Sequence, residues 1–153
     1  MRNESSKSSS DILETSMMRN RTYSGMLALE TFEDRLEYLK LNGSVGHDTF
    51  GSDRHLNQRF YKSSEWLQLR NHIIVRDGGF DLAHPDRTIT GPILVHHINP
   101  ITPTDILHAS DLLYDPDNLV CVTKDTHNAI HYADYNLIKR EHEERTPGDT
   151  KLW

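Results

Sequence analysis

Two short apolar runs in the second half of the chain constrain its fold more than any other feature. The first is Ile-Leu-Val at 93–95, between Gly-Pro and Asn-Pro, and the second is Leu-Val-Cys-Val at 119–122, directly after the turn sequence Asp-Pro-Asp-Asn. Runs of this kind between breakers predict two short strands. A helix is predicted after Thr123, with Asp125 or Thr126 available as the N-cap and with four residues at helical spacing: His127, Ile130, His131 and Tyr135. The predicted order is therefore strand, long connection, strand, helix.

Two further helices are predicted upstream. Thr31, with an acidic residue three positions later, begins a capping pattern for a helix over about 32–41. Ser63 or Ser64 caps the second helix, which ends at the glycines that follow Asp77. The apolar face of that helix consists of Trp66, Leu69 and Ile73. With the two strands, these helices predict the α+β class.

The length of 153 residues fits one domain. We place it at 25–140, with supporting helices in 25–78 and a chemical core in 80–138. A Ser-rich polar tail over 1–24 is predicted to be disordered, 141–153 forms a charged tail, and the glycine-rich stretch at 42–53, which includes His47, is a loop.

Composition excludes several classes of protein. The only cysteine, Cys121, rules out an intrachain disulfide and any multi-cysteine zinc site, and its apolar neighbours predict a small core residue. A net charge of −6 argues against a protein that coats nucleic acid. There is no apolar run of membrane-spanning length and no signal-peptide core, which favours a soluble cytoplasmic protein.

Ten histidines make metal or acid–base chemistry the first function to consider. His127 and His131 are four residues apart on the last predicted helix, so both imidazoles lie on one face and can bind one ion. The alternative is two exposed or hydrogen-bonded histidines. The other histidines without partner spacing are expected to have no such role: His55, His72, His84, His108 and His142.

The adjacent His96 and His97 end the first predicted strand, where neighbouring side chains point to opposite faces. His96 can add a third ligand to the helical pair and leave an open coordination position, as in a catalytic site. His97 then remains an unligated imidazole near the ion. We expect it to face solvent and to act as a general base.

These segments together resemble the HNH endonucleases. The match consists of ILVHHINP, then DPDNLVCVTKDTHNAIHY, preceded by FYKSSEWLQLRNHIIVRDGG, and it covers roughly residues 60 to 132. It is closest to the small HNH proteins of phages and prophages. The family implies a ββα-metal (His-Me finger) core, here with added N-terminal helices. Many members also have two C-x-x-C pairs, which this chain lacks, so helix packing must replace that support.

The resemblance implies metal-dependent hydrolysis of DNA, by nicking or double-strand cleavage, with one divalent ion: Mg, Mn, Ni or Zn. His97 would be the general base and His96 and His127 metal ligands. His131 is a ligand in some members and a phosphate contact in others. Asn118 would hold the connecting loop and so aim the His97 ring.

Positive side chains would neutralise charge on the phosphate under attack. The candidates are Arg70, Arg76 and Lys124, and for the two arginines the alternative is solvated surface charge. The implied partners are DNA and phage packaging proteins (terminase or portal), in the host cytoplasm if the chain is phage-encoded. The acidic balance predicts weak intrinsic DNA affinity, so a partner would deliver the substrate.

Two other functions fit the same residues. The histidines could hold a structural zinc ion in a non-catalytic DNA- or protein-binding accessory module. The chain could also be a metal hydrolase for another substrate, although it lacks the H-E-x-x-H motif and a second-metal carboxylate cluster.

Overall fold

The structure, a computed structural model, describes residues 21–41 and 54–138. The predicted glycine-rich loop with His47, the charged tail with His142 and the first 20 residues lie outside the described residues, as does the side chain of His55. The helices and strands are α1 (Tyr23–Leu27), α2 (Phe32–Leu39), α3 (Arg54–Tyr61), α4 (Ser64–Asp77), β1 (Leu94–His97), α5 (Pro103–Leu107), α6 (Asp111–Tyr114), β2 (Leu119–Val122) and α7 (Lys124–Tyr132). Helices and one small antiparallel sheet confirm the α+β class.

The predicted upstream helices are present with their caps. The Thr31 hydroxyl accepts a hydrogen bond from the Asp34 backbone at 3.1 Å, and α2 ends at Leu39, before the predicted end. Ser63 is the cap of α4, where its hydroxyl accepts from the Trp66 backbone at 3.3 Å. Gly78 ends α4 in the left-handed conformation at φ 65°, which glycine adopts without steric cost.

Two expectations about helix ends are wrong. The cap of α7 is Thr123, whose hydroxyl accepts from the Thr126 backbone at 3.1 Å, so neither Asp125 nor Thr126 has that role. The helix ends at Tyr132, because Ala133 takes a left-handed conformation at φ 54°. Tyr135 therefore lies outside α7, in the 3₁₀ turn Tyr135–Leu137.

The predicted disordered tail is also too long. The described residues begin at Arg21, and Thr22 caps α1 by accepting from the Gly25 backbone. Met26 is fully buried, and Ser24 donates two hydrogen bonds to Asp117, far along the chain. These contacts attach α1 to the turn before β2, so at least 21–24 belong to the domain.

The two strands pair antiparallel, and β1 begins at Leu94, one residue after the start of the first apolar run. Leu94 pairs with Val122, His96 with Val120, and His97 with Leu119. Pairing thus includes both histidines, and the ladder continues with Ile98 donating to the Asn118 carbonyl at 2.8 Å. The prediction that His96 and His97 end the first strand is confirmed, because β1 ends at His97 with both histidines paired to β2.

Helices cover both faces of this sheet. One apolar cluster joins α1, α2, β2 and α7, and it includes Met26, Leu36, Leu39, Val120, Val122 and Ile130. A second joins α3, α4, α6 and β2, and it includes Phe60, Trp66, Ile73, Leu113, Leu119 and Cys121. Every residue of β2 is buried, and Cys121 is a core residue as predicted. None of the helices in the described ranges is long and apolar enough to cross a membrane.

Candidate metal centre

Side chains alternate between the two faces of the sheet, so the adjacent histidines His96 and His97 pack against different helices. His96 lies on the same face as Val120 and Val122, which pack in the cluster with α7. His97 lies on the face of Leu119 and Cys121, which pack in the cluster with α3 and α4. The prediction that the two rings have different surroundings is therefore confirmed.

His96 meets the two helical histidines. One ligand atom from each of His96, His127 and His131 lies within 4.8 Å of the others, so the three residues could hold a metal ion. The His96 ring centroid is 5.3 Å from that of His127 and 5.2 Å from that of His131. The predicted convergence of a strand histidine with a helical pair is thus present.

The distances within the group suit a small divalent ion. The Nε2 atoms of His127 and His131 are 3.1 Å apart. Two nitrogens at about 2.05 Å from one zinc ion with tetrahedral angles lie roughly 3.3 Å apart. The pair therefore needs almost no rearrangement to bind an ion.

His96 supplies an independent sign that this group binds something. Its Nε2 atom is buried and has no hydrogen-bond partner among the described residues. Buried polar atoms normally have a partner, because leaving one unsatisfied costs about 1–3 kcal/mol. A bound cation would satisfy this nitrogen, and the neutral donor set suits one.

Burial keeps all three rings in the form that binds metals. It lowers the pKa of His96 well below the usual value, with His127 and His131 adding repulsion. Burial also lowers the pKa of His127, and together with His127 it lowers the pKa of His131 to about 4. At neutral pH the three imidazoles are therefore uncharged and their lone pairs are available.

A buried carboxylate fixes the start of the helix that presents His127 and His131. Asp81 accepts from the Thr126 hydroxyl at 2.5 Å and from the Thr123 hydroxyl at 3.2 Å. Burial raises the pKa of Asp81, and these hydrogen bonds oppose that shift. Asp81 thereby ties α7 to the 3₁₀ turn Asp81–Ala83, which also contacts β2.

His97 does not face solvent, contrary to the sequence-based expectation. It is only 7% exposed, and its ring stacks on Trp66 with centroids 5.1 Å apart and planes at 21°. The rings of Phe60 and Tyr61 lie 6.0 and 6.5 Å away. The expectation failed because α3 and α4 cover this face of the sheet, so the end of β1 is not an edge of the core.

The same packing fixes the orientation and tautomer of His97. Its Nε2 lies 3.2 Å from the Leu113 carbonyl, which can only accept, so Nε2 carries the proton and Nδ1 keeps the lone pair. Burial lowers the pKa of His97 to about 4. The ring is thus a neutral imidazole outside the three-histidine group.

Asn118 holds the segments on either side of His97. Its Oδ1 accepts from the Asn99 backbone at 2.8 Å and from the Asn99 side chain at 2.7 Å, while its Nδ2 donates to the Leu112 carbonyl at 3.0 Å. Leu112 precedes the residue whose carbonyl binds His97. Asn118 is 2% exposed and therefore acts on protein groups alone in this structure.

Arg76 is fully engaged within the protein. It donates to Asp77 at 2.8 Å and to the carbonyls of Pro116 and Leu119 at 2.6 Å, and it lies 3.5 Å over the Tyr23 ring. These contacts fix the turn that carries Asn118. We therefore do not propose Arg76 as a phosphate contact.

The other two basic candidates differ from Arg76. Arg70 is partly buried and donates to the Ile93 carbonyl at 3.0 Å, next to the start of β1. Lys124 is exposed at the first position of α7, three residues before His127. Of the three candidates, Lys124 is therefore the most accessible to an anion.

Sequence reasoning missed the aromatic enclosure of His97 and the partners of Asn118. Phe60 and Tyr61 lie close to Trp66 in the chain, which is a weak sign that their rings meet. The Leu113 carbonyl and the Asn99 side chain gave no sign, because backbone acceptors and lone amides have no spacing pattern. Comparison of the chain with protein-family models, with curated proteins and with solved structures finds no match.

Proposed function

We propose that this protein is a metal-dependent endonuclease of the HNH type that hydrolyses phosphodiester bonds in DNA. The observation that carries the proposal is the group of three neutral histidines around the orphaned Nε2 of buried His96. A fourth imidazole, that of His97, directly follows His96 in the chain and lies outside that group. A metal site with a neighbouring free base is what single-metal phosphodiester hydrolysis needs.

The donor set favours Zn²⁺ or Ni²⁺ over Mg²⁺, because imidazole suits the former and Mg²⁺ prefers oxygen ligands. Three neutral ligands leave the full charge of the ion uncompensated, so an anion such as a phosphodiester is an apt further ligand. The bound ion would stabilise the negative charge that develops on the phosphate and on the leaving oxygen. His127 and His131 are only partly buried, so an anion can reach an ion bound there.

The proposed role of His97 is to accept a proton from the attacking water through Nδ1, while Nε2 stays bonded to the Leu113 carbonyl. The water oxygen forms a new bond to phosphorus, the bond from phosphorus to the 3′ oxygen breaks, and solvent protonates the leaving oxygen. A nearby phosphate anion raises the pKa of a histidine. Substrate binding would therefore offset the effect of burial on His97.

This role requires access to a ring that is 7% exposed. Tyr61, the last residue of α3, is 42% exposed and forms the outer part of the cover, whereas Phe60 is buried. Trp66 is 3% exposed and belongs to the core. The proposal therefore requires the end of α3 to move when DNA binds.

The test is cleavage of supercoiled plasmid with Zn²⁺, Ni²⁺, Mn²⁺ or Mg²⁺, with EDTA as the reverse control. We expect nicking or linearisation that His127→Ala abolishes and that His72→Ala, a change at an exposed histidine of α4, does not affect. His97→Phe keeps a ring on Trp66 and removes the base, so it should lose cleavage and keep metal binding. No cleavage with any of the four ions would refute the proposal.

The burial of His97 favours one alternative, a non-catalytic module in which the ion is structural. In that case His97 is a packing residue, and its partner is the Leu113 carbonyl. His97→Phe would then leave the fold, metal binding and stability at neutral pH nearly unchanged, and no variant would differ from the wild type in cleavage. Removing the ion would lower the thermal stability in both cases and does not distinguish them.

A further inference from the structure

A small aromatic surface with cations on one side lies beside His97, and the chemistry above assigns no ligand to it. Tyr61 is 42% exposed and Tyr114 is 36% exposed. Both rings pack on buried Phe60, at centroid distances of 5.0 and 5.7 Å. The two tyrosines therefore present aromatic area to solvent around one buried ring, and Tyr61 is 6.5 Å from His97.

The charges around this surface are divided. Arg59 and Lys62 flank Tyr61 in the chain, and both are exposed. Within the described ranges neither forms an ion pair. Tyr114 is followed by Asp115 and lies three residues after Asp111, both exposed. An anionic backbone is therefore attracted on the Tyr61 side and repelled on the Tyr114 side.

We propose that Tyr61 and Tyr114 form a stacking platform for unpaired nucleobases, with the sugar–phosphate backbone running along Arg59 and Lys62. The platform rests on the proposed function for its position beside the scissile bond, and it specifies the substrate as nucleic acid with unpaired bases. An aromatic side chain can stack only on a base whose face is open, and in the interior of a duplex those faces are covered. Single strands, flaps and gaps offer them.

The overall charge supports this choice of substrate. Duplex binding depends mainly on neutralising phosphates, and a chain with net charge −6 has little capacity for that. Stacking is less sensitive to charge and contributes to every base, whatever the sequence. The chain is thus better equipped to hold open strands than to coat a duplex.

The test is fluorescence anisotropy with the full chain in EDTA, where no cleavage occurs, using a labelled oligothymidine and a labelled blunt-ended duplex annealed from two strands. We expect the single strand to bind at least ten-fold tighter. Tyr61→Leu and Tyr114→Leu keep apolar bulk against Phe60 and should each raise Kd for the single strand by roughly five-fold or more, as expected for loss of base stacking. Tyr61→Phe keeps the ring and should bind like the wild type.

Tyr135→Leu is the matched control, because Tyr135 is also 42% exposed but contacts Glu37 of α2 and Lys40, the residue after α2. It should leave both affinities unchanged. Equal Kd values for the two oligonucleotides, an unchanged Kd in Tyr61→Leu, or no single-strand binding below about 100 µM, the weak limit of non-specific binding, would each overturn the platform. Circular dichroism of each variant verifies that it is folded.

The two proposals can fail separately. Plasmid cleavage by the wild type together with unchanged single-strand affinity in Tyr61→Leu would retain the nuclease and reject the platform. Tyrosine-dependent binding of the single strand without cleavage by any ion would reject the nuclease and retain the platform.

Discussion

The two faces of the β1–β2 hairpin bury two adjacent histidines, His96 and His97, but only one face supplies a hydrogen-bond acceptor for the ring. On the α7 face, His96 is buried with Nε2 unsatisfied and two more imidazoles within 4.8 Å. On the α4 face, His97 is buried with Nε2 bonded to a carbonyl and its ring stacked on Trp66. Burial is nearly equal, at 4% and 7% exposure, so burial alone does not separate the two roles.

The difference lies in which polar partner each face supplies. A buried imidazole with a carbonyl acceptor is satisfied without any ligand. A buried imidazole that meets only other imidazoles is not fully satisfied, and a shared cation removes the deficit. The unsatisfied ring thus marks the group that could hold a metal ion, and the satisfied ring requires a separate argument for its function.

The largest expected effect is a loss of zinc affinity at the α7 face. His96→Ala removes one of three ligands, so zinc affinity should fall by at least about 100-fold, since even partners of ligands contribute 10–100-fold. Isothermal titration calorimetry with Zn²⁺ measures it. His72→Ala serves as the control and should bind like the wild type, and an unchanged affinity in His96→Ala would refute the metal site.

The next effect tests whether the α4 face is built for packing. Trp66→Ala deletes a ring that contacts Phe60, Tyr61 and His97, so the free energy of unfolding should fall by about 3–5 kcal/mol. Urea denaturation measures the change. Zinc affinity at neutral pH should stay within a few-fold of the wild type for as long as the variant is folded. A loss as large as that in His96→Ala would show that packing on the α4 face also controls metal binding on the α7 face.

A smaller effect appears in the pH dependence of stability without metal. Unfolded histidines take up protons near pH 6.5, whereas the folded pKa of His97 is about 4. The unfolded state therefore binds more protons in between, and stability should be lost as pH falls from 7 to 4, with roughly 2–3 kcal/mol from His97.

The contribution of His97 is isolated by comparison with His97→Phe, in which the loss of stability should be shallower by that amount. Asp81 acts in the opposite direction, because its raised pKa favours the folded state as pH falls, but its contribution cancels between the two proteins. Urea midpoints between pH 7.5 and 4 provide the measurement. Parallel curves for the two proteins would contradict the lowered pKa.

The smallest effect is expected at neutral pH in the same variant. Phe fills the space of the His97 ring against Trp66 and gives up only the bond to the Leu113 carbonyl. The free energy of unfolding should change by less than about 1.5 kcal/mol, the net value of one hydrogen bond, and zinc affinity by less than about three-fold. A large loss of zinc affinity would place His97 among the ligands.

The sequence predicted the elements of the site well and its surroundings poorly. Spacing four residues apart on α7 and alternation on β1 are local properties, so His127, His131 and His96 could be assigned from the amino-acid pattern alone. Which helix covers the other face of the sheet depends on contacts between distant segments. The exposure of His97 and the contacts of Arg76 therefore could not be obtained from spacing.

By itself, the sequence determined the strand–strand–helix order, the caps of α2 and α4 and the pairing of His127 with His131 on one helix face, because each follows from periodicity or from a neighbour within four residues. Only the tertiary structure decided that α3 and α4 enclose His97, that Arg76 binds the turn before β2, and that one imidazole nitrogen remains buried without a partner among the described residues. The physical reason is that hydrogen-bond satisfaction in a core is a property of all the elements that meet there, and no single segment encodes it.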